Sequence, residues 1–498
     1  MTERRAASLA DLGLTAPGGA GLVLSGLGAD SRQVRPGMLF AALPGAGSHG
    51  AGFLPAALAA GAAAVLTDAE GLSIAGPVLA QARVPVVLAE DARAAFARAA
   101  ALWFGAQPAT MVAVTGTNGK TSVATFARMI WEGLGHAAIN LGTTGVEGAI
   151  GAALGHTTPD PVTLQRLLAE AARAGVTHAA MEASSHGLDQ RRLDGVWLAA
   201  AGFTNLTQDH LDYHADMRAY FEAKMGLFER LLPEDGVAAV NLDDPRGPEV
   251  AARAAARGIE VIGTGRTAAA RLRLLGQRFD PRGQEMLFSW QGEGHQLHLP
   301  LVGGFQAANV LTAAALAIGA GEDAEAVFAT LPQLRTVRGR MQLAARRANG
   351  AAVYVDYAHT PDAVATALAA IRPHVLGRVV AIVGAGGDRD RGKRPLMGRA
   401  AAGTADAVIV TDDNPRSEDP AAIRAAVLAG VAAADGEALE IGDRAEAILR
   451  GVALLGPGDA LVICGKGHES GQIVGQTVYP FDDAEQASIA VAALEARA

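Results

Sequence analysis

The chain has 498 residues, 50% hydrophobic and 19% charged, with a formal net charge of −9. That length allows roughly two to four domains, each with its own core, and the acidic balance without a Lys/Arg block argues against a basic nucleic-acid-binding face. A single cysteine, Cys464 in the apolar run Asp459–Cys464, excludes an internal disulfide framework and reads as a small buried hydrophobe.

In chain order, Met-Thr-Glu-Arg-Arg-Ala at the start leads into no apolar stretch of signal-peptide type, so a cytoplasmic protein is expected. The charge-poor stretch Pro36–Thr67 holds Pro36, Pro44, Pro55 and several glycines, which exclude one membrane-spanning helix. It reads as strand, loop, helix, strand. A boundary falls near 100–110, where Phe104-Gly-Ala-Gln-Pro108 precedes the strand candidate Met111–Thr115. A Gly-rich turn follows. Val123, Phe126, Ala127, Ile130 and Trp131 then repeat at the spacing of one apolar helix face. A second boundary falls near 330–340. Buried-strand candidates beyond it are Val353–Val355, Val379–Val383, Ala407–Val410 and Leu461–Cys464. Strands alternating with Ala-rich helices indicate an α/β protein of mostly parallel sheets. The expected division is 1–106, 107–334 and 335–498.

Strand, Gly-rich turn, Lys-Thr and helix is the physical recipe for a phosphate cradle. Backbone N–H groups converge on phosphate oxygens at a helix N-terminus. In Gly116-Thr-Asn-Gly-Lys-Thr-Ser122, Lys120 can reach the terminal phosphates, and Thr121 or Ser122 can offer a hydroxyl to Mg²⁺. The loop is shorter than the general pattern, with Val114 where the first glycine would stand. A ligand-free Gly-rich turn is the competing reading, and the flanking strand and helix weigh against it. The loop marks a nucleotide triphosphate user; transport, motion and synthesis all stay open.

Thr115-Gly-Thr-Asn-Gly-Lys-Thr-Ser122 resembles the loop of the Mur ligases, which build the peptide stem of peptidoglycan. Further segments follow in that family's order: Met181–Leu188, Phe203–His214, Val355–Asp362, Gly387–Arg394, Asp413–Arg416 and Gly465–Glu469. The resemblance covers nearly the whole chain. It implies an N-terminal UDP-sugar-binding domain, a central ATPase domain and a Rossmann-like C-terminal domain binding the incoming amino acid. It also implies ATP-dependent amide-bond synthesis through an acyl phosphate, serving the cell wall and hence cell shape and division.

Residue by residue, the resemblance implies ATP binding by Gly116, Thr117, Asn118, Gly119, Lys120, Thr121, Ser122, Asn309, Arg340 and Asp356. It implies Mg²⁺ held by Thr121, Glu182, His210 and Lys224, with Lys224 carbamylated to N6-carboxylysine, and catalytic roles for Lys120, Lys224 and His210. Taken singly, Glu182 reads as a satisfied surface carboxylate, His210 as a loop histidine and Lys224 as a helical surface lysine. Gly303-Gly-Phe-Gln-Ala-Ala-Asn309 departs from the family pattern, because Gln306 replaces an Asn and lengthens that arm. His359 either orients the nucleotide loop or touches the nucleotide.

The UDP-N-acetylmuramoyl-L-alanyl-D-glutamate substrate is expected at Ser31, the turn Gly45-Ala-Gly-Ser48, Thr157, Thr158, Ser184, Gln190 and Arg192. Asp413-Asn-Pro-Arg416 resembles the signature of members that add meso-2,6-diaminopimelate. Arg416 and Arg389 would grip its far carboxylate and Glu469 its far ammonium, within a set that includes Asp413, Asn414, Pro415 and Gly465. By itself, Asp-Asn-Pro-Arg is an ordinary turn before a helix. The alternatives are the same reaction with L-lysine, a folylpolyglutamate-synthase-like ligase, a P-loop ATPase driving transport, and an inactive binding protein of the same fold. The expected protein works as a monomer, without nucleic acid and without membrane insertion.

Overall fold

The computed structural model describes residues 6–45, 47–210 and 213–496. The fold divides into two compact units: one runs to Ala270 and includes Thr312–Val327, and the other comprises Arg271–Leu311 and the chain from Phe328 onward.

The first unit holds a small antiparallel pair, Ala7–Ser8 with Val23–Leu24, and two larger sheets. Gly26–Gly28, Met38–Ala41, Ala64–Thr67 and Val86–Leu88 form a parallel sheet in chain order. The Pro36–Thr67 stretch is therefore strand, loop, helix Leu54–Ala59 and strand, as its prolines and glycines dictate. Side chains alternate across this sheet. Leu39, Ala41, Ala64 and Leu66 pack with Phe96 and Trp103, and Phe40 and Val65 pack with Leu54 and Leu79. Burial on both faces is what a parallel sheet requires.

The larger sheet of this unit runs Glu260–Gly265, Val237–Asn241, Ala200–Phe203, Thr110–Thr115, His178–Glu182, Ala138–Gly142, Gly145–Gly148. All neighbours are parallel except the last hairpin. Thr110–Thr115 is central. The chain passes from one side of it to the other between Glu182 and Ala200, so the sheet has a switch point there. In such sheets ligands bind outside the carboxyl ends of the strands. The helix Lys120–Gly133 lies against this sheet, and Val123, Phe126, Ala127, Ile130 and Trp131 are all fully buried.

The second unit begins with an antiparallel meander, Leu272–Asp280, Gly283–Trp290 and Glu293–Leu299, which the alternation of strands and helices does not foretell. Its second turn places Gln291 (φ 51°) and Gly292 (φ 92°) in the left-handed region, the backbone of a two-residue hairpin. A six-stranded sheet follows, ordered Gln342–Arg346, Ala352–Asp356, Ala460–Cys464, Val379–Val383, Ala407–Val410, Ala438–Glu440. Only the first pair is antiparallel. The four buried-strand candidates are all here. Cys464 is buried in this core, and burial pushes its thiol up, far from reactivity. Arg444 and Asp483 form a fully buried bidentate ion pair with bonds of 2.7 Å, and the Arg444 guanidinium also donates to Cys464 O. Among the described residues no helix is long and apolar enough to cross a membrane.

Candidate active site

The Gly-rich turn leaves the carboxyl end of Thr110–Thr115 and enters the helix at Lys120. Gly116 has φ 149° and Gly119 φ 87°, conformations that favour glycine. A Cβ on Gly116 would stand 1.9 Å from Thr204 Oγ1. The segment after Phe203 clasps the turn. Asn118 N donates to Asn205 Oδ1 (2.9 Å), Thr117 N to Asn205 O (2.8 Å) and Thr204 Oγ1 to Asn118 O (2.6 Å). Lys120 Nζ donates to Gly116 O (2.9 Å) and Thr117 O (2.7 Å). Thr121 and Ser122 are buried at the helix start. Gly116→Ala should displace this turn and lower ATP turnover about 10²-fold, the penalty of roughly 1 Å of misplacement. Steady-state ADP release, with circular dichroism confirming the fold, checks this.

Lys224 is not a surface lysine. It is 1% exposed, and its Nζ donates to Gly116 O at 2.8 Å from directly beneath the turn. It also lies 4.2 Å from the Tyr220 ring centroid. Burial, reinforced by the Lys120 charge, holds its amine well below the usual lysine range. Glu182 is likewise no surface carboxylate. It ends the strand His178–Glu182, fully buried, and accepts from Thr143 N (2.7 Å) and Thr143 Oγ1 (3.2 Å). His210 has φ 54° and its ring stands 5.0 Å from that of His186. Burial lowers its pKa, and His186 and the Lys120 charge push the same way against Asp209. A neutral imidazole, a carboxylate and the Thr121 hydroxyl thus border one loop. The carboxylate and hydroxyl oxygens of that set fit Mg²⁺ with retained water, an imidazole is an unusual ligand for so hard a cation, and a carboxylated Lys224 would add the oxygens it prefers.

Thr157, Thr158, Ser184, Gln190 and Arg192 come together beside Glu182. Thr157 Oγ1 meets Thr143 Oγ1 at 3.0 Å, and Thr158 Oγ1 donates to Glu182 O at 2.9 Å. Ser184 Oγ lies 3.0 Å from Thr158 Oγ1. Arg192 donates to Thr158 O (2.6 Å) and Gln190 Oε1 (2.7 Å). Ser31 opens a short turn in the smaller sheet's half of this unit and joins none of these contacts. In Gly45-Ala-Gly-Ser48, Ala46 lies outside the described residues, as do Leu211 and Asp212 after His210. A cavity of about 710 Å³ opens nearby, lined by Arg93, Arg98, Arg191 and Arg230 and by Asp68, Glu90, Asp91, Asp189 and Asp194, with Arg191 paired to Asp91 and Arg230 to Asp194. It is the size of a ligand site. Its arginines are scattered in sequence and form no recognisable run.

In the second unit, Gln306 Oε1 accepts from Asn309 Nδ2 at 3.1 Å. The longer arm therefore holds the neighbouring Asn309 amide. Asp356 accepts from Met341 N (2.7 Å) and Ala358 N (2.9 Å), and Arg340 lies over the Tyr357 ring at 4.7 Å. His359 is exposed, its Nδ1 2.8 Å from Tyr357 O. Asn414 Nδ2 donates to Glu469 Oε2 at 2.8 Å, and Lys466 Nζ donates to Asn414 Oδ1 at 2.8 Å. Lys466, fully buried, was not singled out from sequence although it sits within Gly465–Glu469. Gly465 (φ 115°) packs so closely on Asp413 that a Cβ would meet its Oδ2 at 2.4 Å. Arg416 (φ 49°) donates from Nη1 to Gly387 O at 2.8 Å, and both Arg416 and Arg389 border Gly386. Pro415 is buried in the same turn.

Three family descriptions match successive parts of the chain: Mur ligase family, catalytic domain, over 23–104; Mur ligase middle domain over 114–317; and Mur ligase, glutamate ligase domain, over 339–467. The UDP-N-acetylmuramoyl-L-alanyl-D-glutamate–2,6-diaminopimelate ligase of Caulobacter vibrioides is 52% identical over 481 residues, covering 95% of this chain and 96% of its own. The ligase of the same name from Bradyrhizobium diazoefficiens is 50% identical over 482 residues, 96% of each chain. A solved structure of a ligase of that name superposes with a TM-score of 0.72 at 33% identity, covering 98% of this chain and 99% of the other.

Proposed function

Since the chain belongs to the Mur ligase family, whose members are ATP-dependent amide-bond-forming ligases, we propose that it adds meso-2,6-diaminopimelate to UDP-N-acetylmuramoyl-L-alanyl-D-glutamate in peptidoglycan precursor synthesis, as a cytoplasmic monomer. The observation that carries this reading is the gathering of buried Lys224, buried Glu182 and His210 at a phosphate loop. A nucleotide-binding turn alone hydrolyses or moves; this one is backed by groups suited to an acyl phosphate.

A carboxylate is a poor electrophile at neutral pH. Transfer of the ATP γ-phosphoryl group to the D-glutamate carboxylate makes it reactive. The incoming amine attacks the acyl carbon, the tetrahedral intermediate expels phosphate, and an amide remains. Phosphoryl transfer between two anions needs in-line positioning and charge neutralisation more than covalent help. Lys120 and the turn's N–H groups hold the phosphates. Thr157, Thr158, Ser184, Gln190 and Arg192 orient the dipeptide, and Asn309, Arg340 and Asp356 serve the nucleoside. Thr121, Glu182, His210 and carboxylated Lys224 would hold Mg²⁺, which supplies charge neutralisation when bound. Arg93 and Arg98 in the cavity offer cations to the UDP-sugar end, with Ser31 as a further contact.

For the acceptor, Arg416 and Arg389 offer guanidinium groups to a far carboxylate that lysine lacks. The Asn414–Glu469–Lys466 cluster fixes a carboxylate for the far ammonium. Arg416→Ala should raise the KM for diaminopimelate about 10–10²-fold, a loss of ~1.5–3 kcal/mol typical of a charge-assisted bond, with the KM for ATP unchanged. Mass analysis of the product from UDP-dipeptide, ATP and each amino acid tests the whole reading. Strong turnover with lysine and none with diaminopimelate would overturn the choice of acceptor.

A further inference from the structure

The end of the central sheet's strands away from the phosphate loop carries a second cluster of ligand-type side chains. His178 opens the strand that Glu182 closes, so at about 3.3 Å per residue the two lie roughly 13 Å apart. His136 follows the loop helix, and Glu322 follows the helix Phe305–Gly319. All three belong to the first unit.

Both imidazoles aim Nε2 at one carboxylate oxygen. His136 Nε2 lies 3.1 Å from Glu322 Oε1, and His178 Nε2 lies 3.4 Å from that same oxygen. The three ligand atoms fall within 4.8 Å of one another. Ligands about 2.0–2.1 Å from a tetrahedral metal stand roughly 3.3 Å apart, so the pocket needs little rearrangement. The imidazole rings lie 4.0 Å apart between centroids, tilted by 31°, and that proximity disfavours charging both. Burial, followed by the His136 charge, also lowers the pKa of His178, keeping a lone pair available.

The other ring nitrogen is already held. His178 Nδ1 lies 2.8 Å from Thr177 Oγ1, and Thr177 Oγ1 donates to Ala137 O at 3.3 Å. A hydroxyl whose proton is given to Ala137 can accept from Nδ1–H, and in that tautomer a metal ion would take the place of the proton that Nε2 otherwise shares with Glu322. Orientation of a ligand histidine through its second nitrogen is the arrangement metal sites use.

We propose that His136, His178 and Glu322 form a binding site for a divalent transition metal of the Zn²⁺ type, separate from the nucleotide site. Two imidazoles and one carboxylate select such an ion over Mg²⁺, which prefers oxygen ligands. The ion would tie together the end of the loop helix, the start of the strand His178–Glu182 and the turn holding Glu322, and would leave the chemistry at the other end of the strands untouched.

The test uses the full chain, stripped of metal and held in saturating Mg²⁺, titrated with ZnCl₂ by calorimetry and with CoCl₂ by visible absorption. One Zn²⁺ per chain is expected, with tetrahedral Co²⁺ bands and a raised thermal midpoint. The double variant His136→Ala/His178→Ala should weaken Zn²⁺ binding by ~100-fold or more and lose the Co²⁺ bands. Thr177→Val should weaken binding about 10-fold by releasing the ring. His136→Ala alone, at a half-buried side chain, keeps the test available if the double variant does not fold, and should leave ligase turnover unchanged. Wild-type affinity retained in these variants, or Zn²⁺ displaced by excess Mg²⁺ and ATP, would overturn the proposal. A cluster joined only by hydrogen bonds would give no stoichiometric binding and would overturn it too.

Discussion

Lys120→Ala is expected to reduce amide formation and ADP release together by about 10³-fold, the upper range for losing one preorganised charged donor at a developing anion. The ammonium lies at the N-terminus of the loop helix and donates to Gly116 O and Thr117 O. It is therefore placed where phosphates would meet the turn's N–H groups. Lys120→Arg should recover little, because a planar fork does not replace a compact ammonium inside a closed turn. Coupled-enzyme phosphate release and product mass, measured on variants of unchanged circular dichroism, provide the check. Product formation within tenfold of the wild type would refute the assignment of this loop.

Lys224→Ala should cost about 10²-fold or more in turnover, and the loss has a signature in carbon dioxide. A neutral amine and CO₂ give a carbamate and a proton, so the reaction needs the uncharged form that burial already favours. Wild-type activity should fall in CO₂-free buffer and return with bicarbonate. The variant should ignore both, and ¹³C-bicarbonate should give a carbamate resonance only in the wild type. Stability should follow the amine. Because the folded pKa is depressed below the ordinary 10.5, the unfolded chain binds the extra proton between those two values. Stability of the unmodified protein therefore rises with pH across that window. Lys224→Met should flatten this rise in a thermal-midpoint profile. A wild type indifferent to CO₂ with no carbamate signal would leave Lys224 an unmodified contact beneath the turn.

The strand–turn–helix around Gly116–Ser122 was legible because its parts are contiguous, and the helix Lys120–Gly133 repeats its apolar residues on one face. The C-terminal sheet was legible because its inner strands are buried on both sides and read as unbroken apolar runs. The burial of Lys224 was harder to see. Its signal lies in the helix Met217–Gly226, where Tyr220, Phe221 and Met225 are buried with it, but a lysine at such a position ordinarily reads as solvated. Glu182 shows the same difficulty at a strand end. The meander Leu272–Leu299 escaped because its outward positions carry Arg, Gln and Glu. Lys466, the arginine-lined cavity and the His136–His178–Glu322 cluster are made by tertiary packing between distant segments, and no local pattern announces them.

The Arg444–Asp483 pair sets a rule for shortening this protein. Asp483 begins the helix Asp483–Glu495. The guanidinium it neutralises also holds Cys464 O and Asp412 O, backbone groups adjoining Gly465 and Asp413. A chain trimmed before residue 483 would strand a cation in the core, a defect of ~3–5 kcal/mol, and would loosen the Asp412–Asp413 and Cys464–Gly465 backbone that the guanidinium holds. The last helix is thus a counterion for the interior, and tags or fusions belong after it rather than in its place.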